Sequence, residues 1–272
     1  MSSPLGVASM PMYDLPEVRK ALDTLWQGLA RHLHRQGVPD APNTLSHERP
    51  VSDLWNDPDL FLSQCCGYDI VNRYAGQLLP IATPHYGAPE CMGCDYASVV
   101  VVAEQNAATD VLEMRGAVCV INGPESHSGM NALRGLVAPV SRDGRFFTEV
   151  KVSGSHEASL AMIRRGEAEV GAIDCVTFAL LERNRPEALA GLRKLGRTYR
   201  APGLPYVTGP AIDDDRVARM RMALFSAFAD PDLVAARQAL LLDDIEILPE
   251  DAYARMREVE DLAARYGFSL IH

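Results

Sequence analysis

Apolar positions along this chain follow two periods. Short runs such as Leu60 to Gln64, Leu78 to Thr83, Val99 to Val102 and Ala117 to Ile121 have strand length and read as buried strands. Elsewhere apolar residues recur at helical spacing, as in the stripe Val18, Leu22, Leu25, Trp26, Leu29 and Leu33, which Gly37 and Pro39 bring to an end. Leu5 to Tyr13 reads as a first strand, and Asp14-Leu15-Pro16-Glu17 has the form of a capping box opening the first helix. Shorter helices are expected from Ser52 and over 68–74, and a Pro/Gly-rich loop over 84–94.

From Tyr96 onward the pattern becomes regular. Strands over 96–103, 117–122, 147–152, 169–173 and 192–199 alternate with helices over 128–137, 156–165 and 174–183, the signature of a parallel α/β sheet. The run 96–103 and the proline-stiffened stretch Ala201 to Val207 read as two crossings between lobes. The division expected is residues 1–97 plus 205–272 in a discontinuous first lobe and 98–204 in a second. Helices over 213–228, 233–241 and 249–266 are then expected to pack back on the first lobe.

Composition narrows the function classes. The chain has 272 residues, 47% hydrophobic and 23% charged, enough for two lobes with their own cores. A formal charge of -10 and a pI near 5.2 argue against nucleic acid or an anionic membrane as partner, since both call for a basic face. No apolar run approaches the roughly 20 residues that span a bilayer. Met1-Ser2-Ser3-Pro4 lacks a basic signal-peptide start, so a cytoplasmic chain is expected unless the sequence is a processed, periplasmic form.

Two stretches concentrate polar chemistry at strand-to-helix junctions. Asn122-Gly123-Pro124-Glu125-Ser126-His127-Ser128-Gly129 follows the 117–122 strand, and Ser153-Gly154-Ser155-His156-Glu157 follows the 147–152 strand. A helix start leaves backbone N–H groups without intrahelical partners and presents the positive end of its dipole, so each junction favours an anion. Asp174 marks a third junction. For the serines and Asp174 the competing reading is a simple N-cap, and for His127 and His156 a hydrogen-bonded structural histidine. In a parallel sheet, junctions at the carboxyl ends of neighbouring strands are where ligands bind, and the pairing of matched loops favours a shared pocket.

At these residues the chain resembles the phosphate/phosphite/phosphonate family of ABC-transporter solute-binding proteins. Ser153-Gly154-Ser155-His156-Glu157, with the Gly166 to Asp174 segment behind it, is similar to the family's second-lobe motif, and Ser126-His127-Ser128-Gly129 to its Ser-x-Ser-Gly loop. Pro11-Met12-Tyr13, Cys66-Gly67-Tyr68, Tyr96-Ala97-Ser98 and Pro202-Gly203-Leu204-Pro205 also resemble it. The resemblance implies a two-lobed type 2 periplasmic-binding fold, each lobe a mostly parallel sheet flanked by helices, closing on a small oxyanion. Ser126, Ser128 and His156 would bind phosphoryl oxygens, with His127 adding its backbone N–H and its ring as a further candidate contact. Tyr13, Tyr68 and Tyr96 would close over the ligand. The acid that holds an amine in aminophosphonate binders falls on Val176, with Asp174 nearby instead. The implied partners are the oxyanion and an ABC permease, with no cofactor, no metal, no membrane insertion and a monomeric state.

Other candidates are weaker. Cys91-Met92-Gly93-Cys94, with His85 upstream, has the form of half a zinc site or, in an exported protein, of a small disulfide; Cys65-Cys66 and the remaining thiols read as packing. There is no Gly-x-Ser-x-Gly elbow, Walker A loop or dinucleotide fingerprint. The alternative to a binder is a cytoplasmic enzyme or sensor on the same fold, acting on a small organic acid, for which His156 and Asp174 are the evident acid/base groups.

Overall fold

The computed structural model describes residues 6–249, 251–268 and 271. The chain divides into two compact units and passes between them three times, after Gly87, after Pro202 and at position 250. The first passage lays down β1 (Val7–Ala8), α1 (Arg19–Arg35), α2 (Val51–Trp55), β2 (Leu60–Gln64), α3 (Gly67–Val71) and β3 (Leu79–Tyr86). The second holds β4 (Asp95–Tyr96), β5 (Ser98–Ala103), β6 (Val118–Ile121), α4 (Ala132–Val137), β7 (Glu149–Val152), α5 (His156–Arg164), β8 (Val170–Asp174), α6 (Cys175–Asn184), β9 (Leu192–Arg197) and β10 (Ala201–Pro202). The chain then returns to the first unit as β11 (Tyr206–Thr208), α7 (Asp214–Ala229), α8 (Val234–Ala239) and β12 (Leu242–Glu246), and ends on the second with α9 (Ala254–Arg265).

The first unit is a five-stranded sheet in the order β1-β2-β11-β3-β12, in which β1 and β2 run parallel and the other neighbours antiparallel. All five residues of β2, the polar Ser63 and Gln64 included, are buried in a strand flanked on both sides by β1 and β11. The α1 stripe is buried at Leu22, Leu25, Trp26, Leu29 and Leu33, and Trp26 donates its indole N–H to the Pro42 carbonyl at 3.0 Å. At Gly28 the Leu233 side chain packs so close that a Cβ would stand 2.4 Å from its methyls.

The second unit is a five-stranded sheet in the order β7-β6-β8-β5-β9. Strands β7, β6 and β8 are parallel; β5 is antiparallel to both β8 and β9. A two-stranded β4–β10 ladder stands apart from it. The valines of β5 are fully buried and α5 packs over the same sheet.

Several elements differ from what the sequence pattern predicts. The α/β class and the two-unit organisation hold, but the sheets are mixed rather than mostly parallel, because β11 and β12 in one and β5 and β9 in the other run against their neighbours. Three crossings replace two. The segment after 250 packs on the second unit, not the first, and the boundaries fall at 87/88 and 202/203 rather than 97/98 and 204/205. The expected 5–13 strand shrinks to Val7–Ala8 followed by a single 3-10 turn at Pro11–Tyr13, with Leu5 outside the described residues. Asp14 is not the cap of α1, whose N-cap is Val18: its carboxylate accepts from Arg19 Nε at 3.0 Å and bonds His47 Nδ1 at 2.8 Å, and the helix begins only at Arg19. Charge-assisted bonds to two basic side chains outcompete a neutral backbone N–H. Strand β12 carries no period-2 signal, since Asp243, Asp244 and Glu246 interrupt it at an exposed sheet edge.

Candidate functional site

Because β7, β6 and β8 are adjacent and parallel, the loops at their carboxyl ends lie along one edge of the second-unit sheet. Two of these loops are stitched together by backbone. Ser153 N–H donates to the Ile121 carbonyl at 2.9 Å and Gly154 N–H to the Asn122 carbonyl at 3.0 Å, with Gly154 at φ +91°, a conformation that favours glycine.

After β6 the chain enters a single π-helical turn, His127–Asn131, before α4 begins. Ser126 caps it: the hydroxyl accepts from Gly129 N–H at 3.1 Å. The same oxygen lies 3.4 Å from Ser128 Oγ, and Ser128 Oγ lies 2.9 Å from His156 Nε2, the first residue of α5. Ser155 caps α5 by accepting from Ala158 N–H at 3.1 Å. The first backbone bond of α5 runs from Ser159 N–H to the Ser155 carbonyl, so the amides of His156 and Glu157 precede the intrahelical ladder. Ser126 and Ser128 are buried; His156 is half-buried, with its Nδ1 shielded and without a hydrogen-bond partner among the described residues.

Both histidines are neutral at physiological pH. Burial lowers His156 to about 4, and burial together with the Arg134 charge lowers His127 to about 3. The tautomer of His127 follows from its neighbours. Arg134, a pure donor, bonds Asn131 Oδ1, which fixes Nδ2 as the donating end of the amide. That Nδ2 reaches the Met256 carbonyl at 2.8 Å and His127 Nδ1 at 3.1 Å. Nδ1 therefore accepts, and the ring proton sits on Nε2. The His127 ring lies 6.2 Å from that of Tyr96, which is buried in β4.

Met256 belongs to α9, which explains why the last helix joins this unit. Arg255 makes a two-point ion pair with Asp95, Glu260 lies 3.7 Å from Arg134, and Gly135 lets Val259 approach so near that a Cβ there would meet its methyl at 2.5 Å.

Asp174, the third junction, acts as an N-cap in which one carboxylate oxygen accepts from Val176 N–H at 2.8 Å and Thr177 N–H at 3.0 Å. Val176 is wholly buried. In the first unit, Tyr13 is buried edge-on against Tyr86 with centroids 5.0 Å apart, and Tyr68 is buried in α3. The structure thus brings Ser126, Ser128 and His156 into one cluster, with His127 and Tyr96 paired beside the same turn. Sequence reading passed over Asn131 and Arg134, whose polar character inside an apolar helix pattern is the available signal. Ser98, quoted only as the end of the Tyr96-Ala97-Ser98 motif, lies opposite Asp174 in the β5–β8 ladder, with its hydroxyl buried without a partner among the described residues.

A two-unit α/β chain with neutral donors gathered on one sheet edge has the build of a solute-binding protein. The chain belongs to the family described as ABC transporter, phosphonate, periplasmic substrate-binding protein, whose profile matches residues 59–253. Members of that family are transport components rather than enzymes, and a small ligand and a permease are their partners. Among curated protein sequences none matches.

Solved structures with the same fold include the binding-protein component of an ABC phosphonate transporter from Pseudomonas aeruginosa, at TM-score 0.75 and 14% identity over 98% of this chain and 88% of that one. Another is PhnD1 from Prochlorococcus marinus in complex with methylphosphonate, at TM-score 0.74 and 14% identity over 98% and 100%. A Xanthomonas citri protein bound to chloride ion matches at TM-score 0.72 and 15% identity over 98% and 100%, and is also known bound to ATP. No helix among the described residues is long and apolar enough to cross a membrane.

Proposed function

We propose that the protein captures a small phosphorus oxyanion, of the phosphonate, phosphite or phosphate type, for delivery to an ABC permease, and that Ser126, Ser128 and His156 hold its phosphoryl oxygens. The observation that carries this reading is the 2.9 Å approach of Ser128 Oγ to His156 Nε2, which joins hydroxyl and imidazole from two different strand-to-helix loops. Hydroxyls, a neutral imidazole and helix-start amides satisfy a tetrahedral anion without a cationic side chain. His127 and Tyr96 flank the same turn. The reading extends to Tyr13 and Tyr68 on the strength of the family resemblance alone.

The methylphosphonate complex of the Prochlorococcus neighbour makes simple alkylphosphonates the first ligands to try. Aminoalkylphosphonates are disfavoured: Val176 supplies no charge, and Asp174 already spends one oxygen on its cap. The test is a thermal-shift and calorimetric panel of methylphosphonate, 2-aminoethylphosphonate, phosphite, phosphate, sulfate and malate. Ligand at 100 times its Kd stabilises by about 2.7 kcal/mol, which a melting curve resolves. We expect a phosphorus oxyanion to give the largest shift and to bind stoichiometrically without turnover; silence toward every phosphorus oxyanion sinks the proposal.

A further inference from the structure

We propose that Cys91 and Cys175 are a disulfide-forming pair, and that their oxidation ties the 88–94 loop to the start of α6. In the structure both are thiols, with Sγ atoms 3.5 Å apart although 84 positions separate them in sequence. The spacing Cys91-Met92-Gly93-Cys94 points to a local pair instead, but the backbone there is committed to a tight turn. Met92 and Asp95 exchange both backbone hydrogen bonds, with Gly93 at φ +58°. Cys91, just before that turn, meets Cys175 across the unit.

The geometry is held from both sides. Glu90 gives its carbonyl to Arg200 Nε at 3.1 Å and its carboxylate to Arg197 at 3.4 Å. Asp95 is clamped by Arg255, and Cys91 N–H donates to the Ala88 carbonyl at 2.9 Å. Cys175 follows the capping Asp174 as the first residue of α6, and its carbonyl-side neighbours are fixed by that cap. The 3.5 Å between the sulfurs compares with a disulfide bond length of about 2.05 Å.

Access separates the roles. Cys91 is half-buried and Cys175 buried, so Cys91 is the sulfur that meets an external disulfide. With oxidised glutathione as oxidant, the Cys91 thiolate attacks one glutathione sulfur and expels a glutathione thiolate, forming a mixed disulfide. Cys175 then gives up its proton to that departing thiolate and attacks Cys91 Sγ, expelling the second glutathione. Two protein thiols are oxidised and one glutathione disulfide is reduced to two thiols. The cross-link would enclose β4 through β8 together with the loops that carry Ser126, Ser128 and His156. The inference does not depend on which ligand the protein binds.

The full-length protein, incubated with a glutathione redox buffer, is alkylated and peptide-mapped. We expect loss of two of the six thiols, a Cys91–Cys175 linked peptide, and a rise in Tm of about 5–10 °C that dithiothreitol reverses. Cys91→Ser should abolish both the link and the shift while remaining folded by circular dichroism. Cys94→Ser should leave both unchanged. A Cys91–Cys94 peptide, or six thiols still free after incubation with an excess of oxidised glutathione, would overturn the proposal.

Discussion

Ser128 and His156 are 28 residues apart in sequence and share one hydrogen bond in the structure, so each tests the other's role. A hydrogen bond to a charged partner contributes about 1.5–3 kcal/mol, or roughly 10–150-fold in affinity. Ser128→Ala and His156→Ala are each expected to weaken methylphosphonate binding within that range by calorimetry, with the fold kept. Their double mutant should lose less than the sum, because both act on one ligand group. Tyr13→Phe and Tyr68→Phe ask whether the resemblance carries over to the first unit: unchanged affinity in both would remove them from the site.

The histidines also set the pH response, and in opposite directions. His156 and His127 titrate near 4 and 3 when folded, below the ordinary 6.5, so the unfolded chain takes up protons first as pH falls. Their contribution to stability is full above about pH 6.5 and is lost between there and about pH 3. His47 behaves in reverse. Burial lowers it, but bonds to Asp23 and Asp14 outweigh burial and raise it overall. Its contribution is full below about pH 6.5 and is lost as pH rises through its higher folded value. Urea midpoints measured from pH 4 to 8 should therefore fall on the acid side in the wild type, and His47→Gln should cost stability at pH 6 more than at pH 8.

At the scale of elements, the turn after β6 depends on a glycine for room rather than for φ. A Cβ on Gly129 would lie 1.8 Å from Asn122 Oδ1, so Gly129→Ala is expected to destabilise by about 1–3 kcal/mol, the cost of overpacking, and Asn122→Ala to recover part of it. Chemical denaturation of the two single variants and the double variant measures the recovery.

The legibility of the chain divides along the same lines. The strand Leu60–Gln64 was readable because a short, mostly apolar run has few other places to go, whereas β3 continues to Tyr86, three residues past its expected end at Thr83. The paired serine-histidine loops were readable because glycine, hydroxyl and imidazole clustered at strand ends. The π-helical turn and the Asn131–Arg134 support were not, since a one-residue change in helical register leaves no mark on an apolar period. Nor was strand direction, because β5 shows the same valine run whether its neighbours are parallel or antiparallel.

For the whole molecule, the amphipathic pattern of α9 said that it packs, and not on what. Side-chain specifics decide that: Arg255 for Asp95, the Met256 carbonyl for Asn131, Val259 for Gly135. A chain ended after Pro249 loses all three. It is expected to show fast hydrogen exchange over 127–137 and no measurable oxyanion binding, while amides of α1 and β2 keep their protection; loss of protection across both units alike would mean that they fold as one.

The three passages between units also set an order of events during synthesis. The first unit waits for β11 and β12, made after the entire second sheet, and the second waits for α9, made after β12. A nascent chain that has not yet reached α9 therefore holds Ser126, Ser128 and His156 without the helix that braces them, and competence to capture a ligand waits on that helix rather than accumulating gradually.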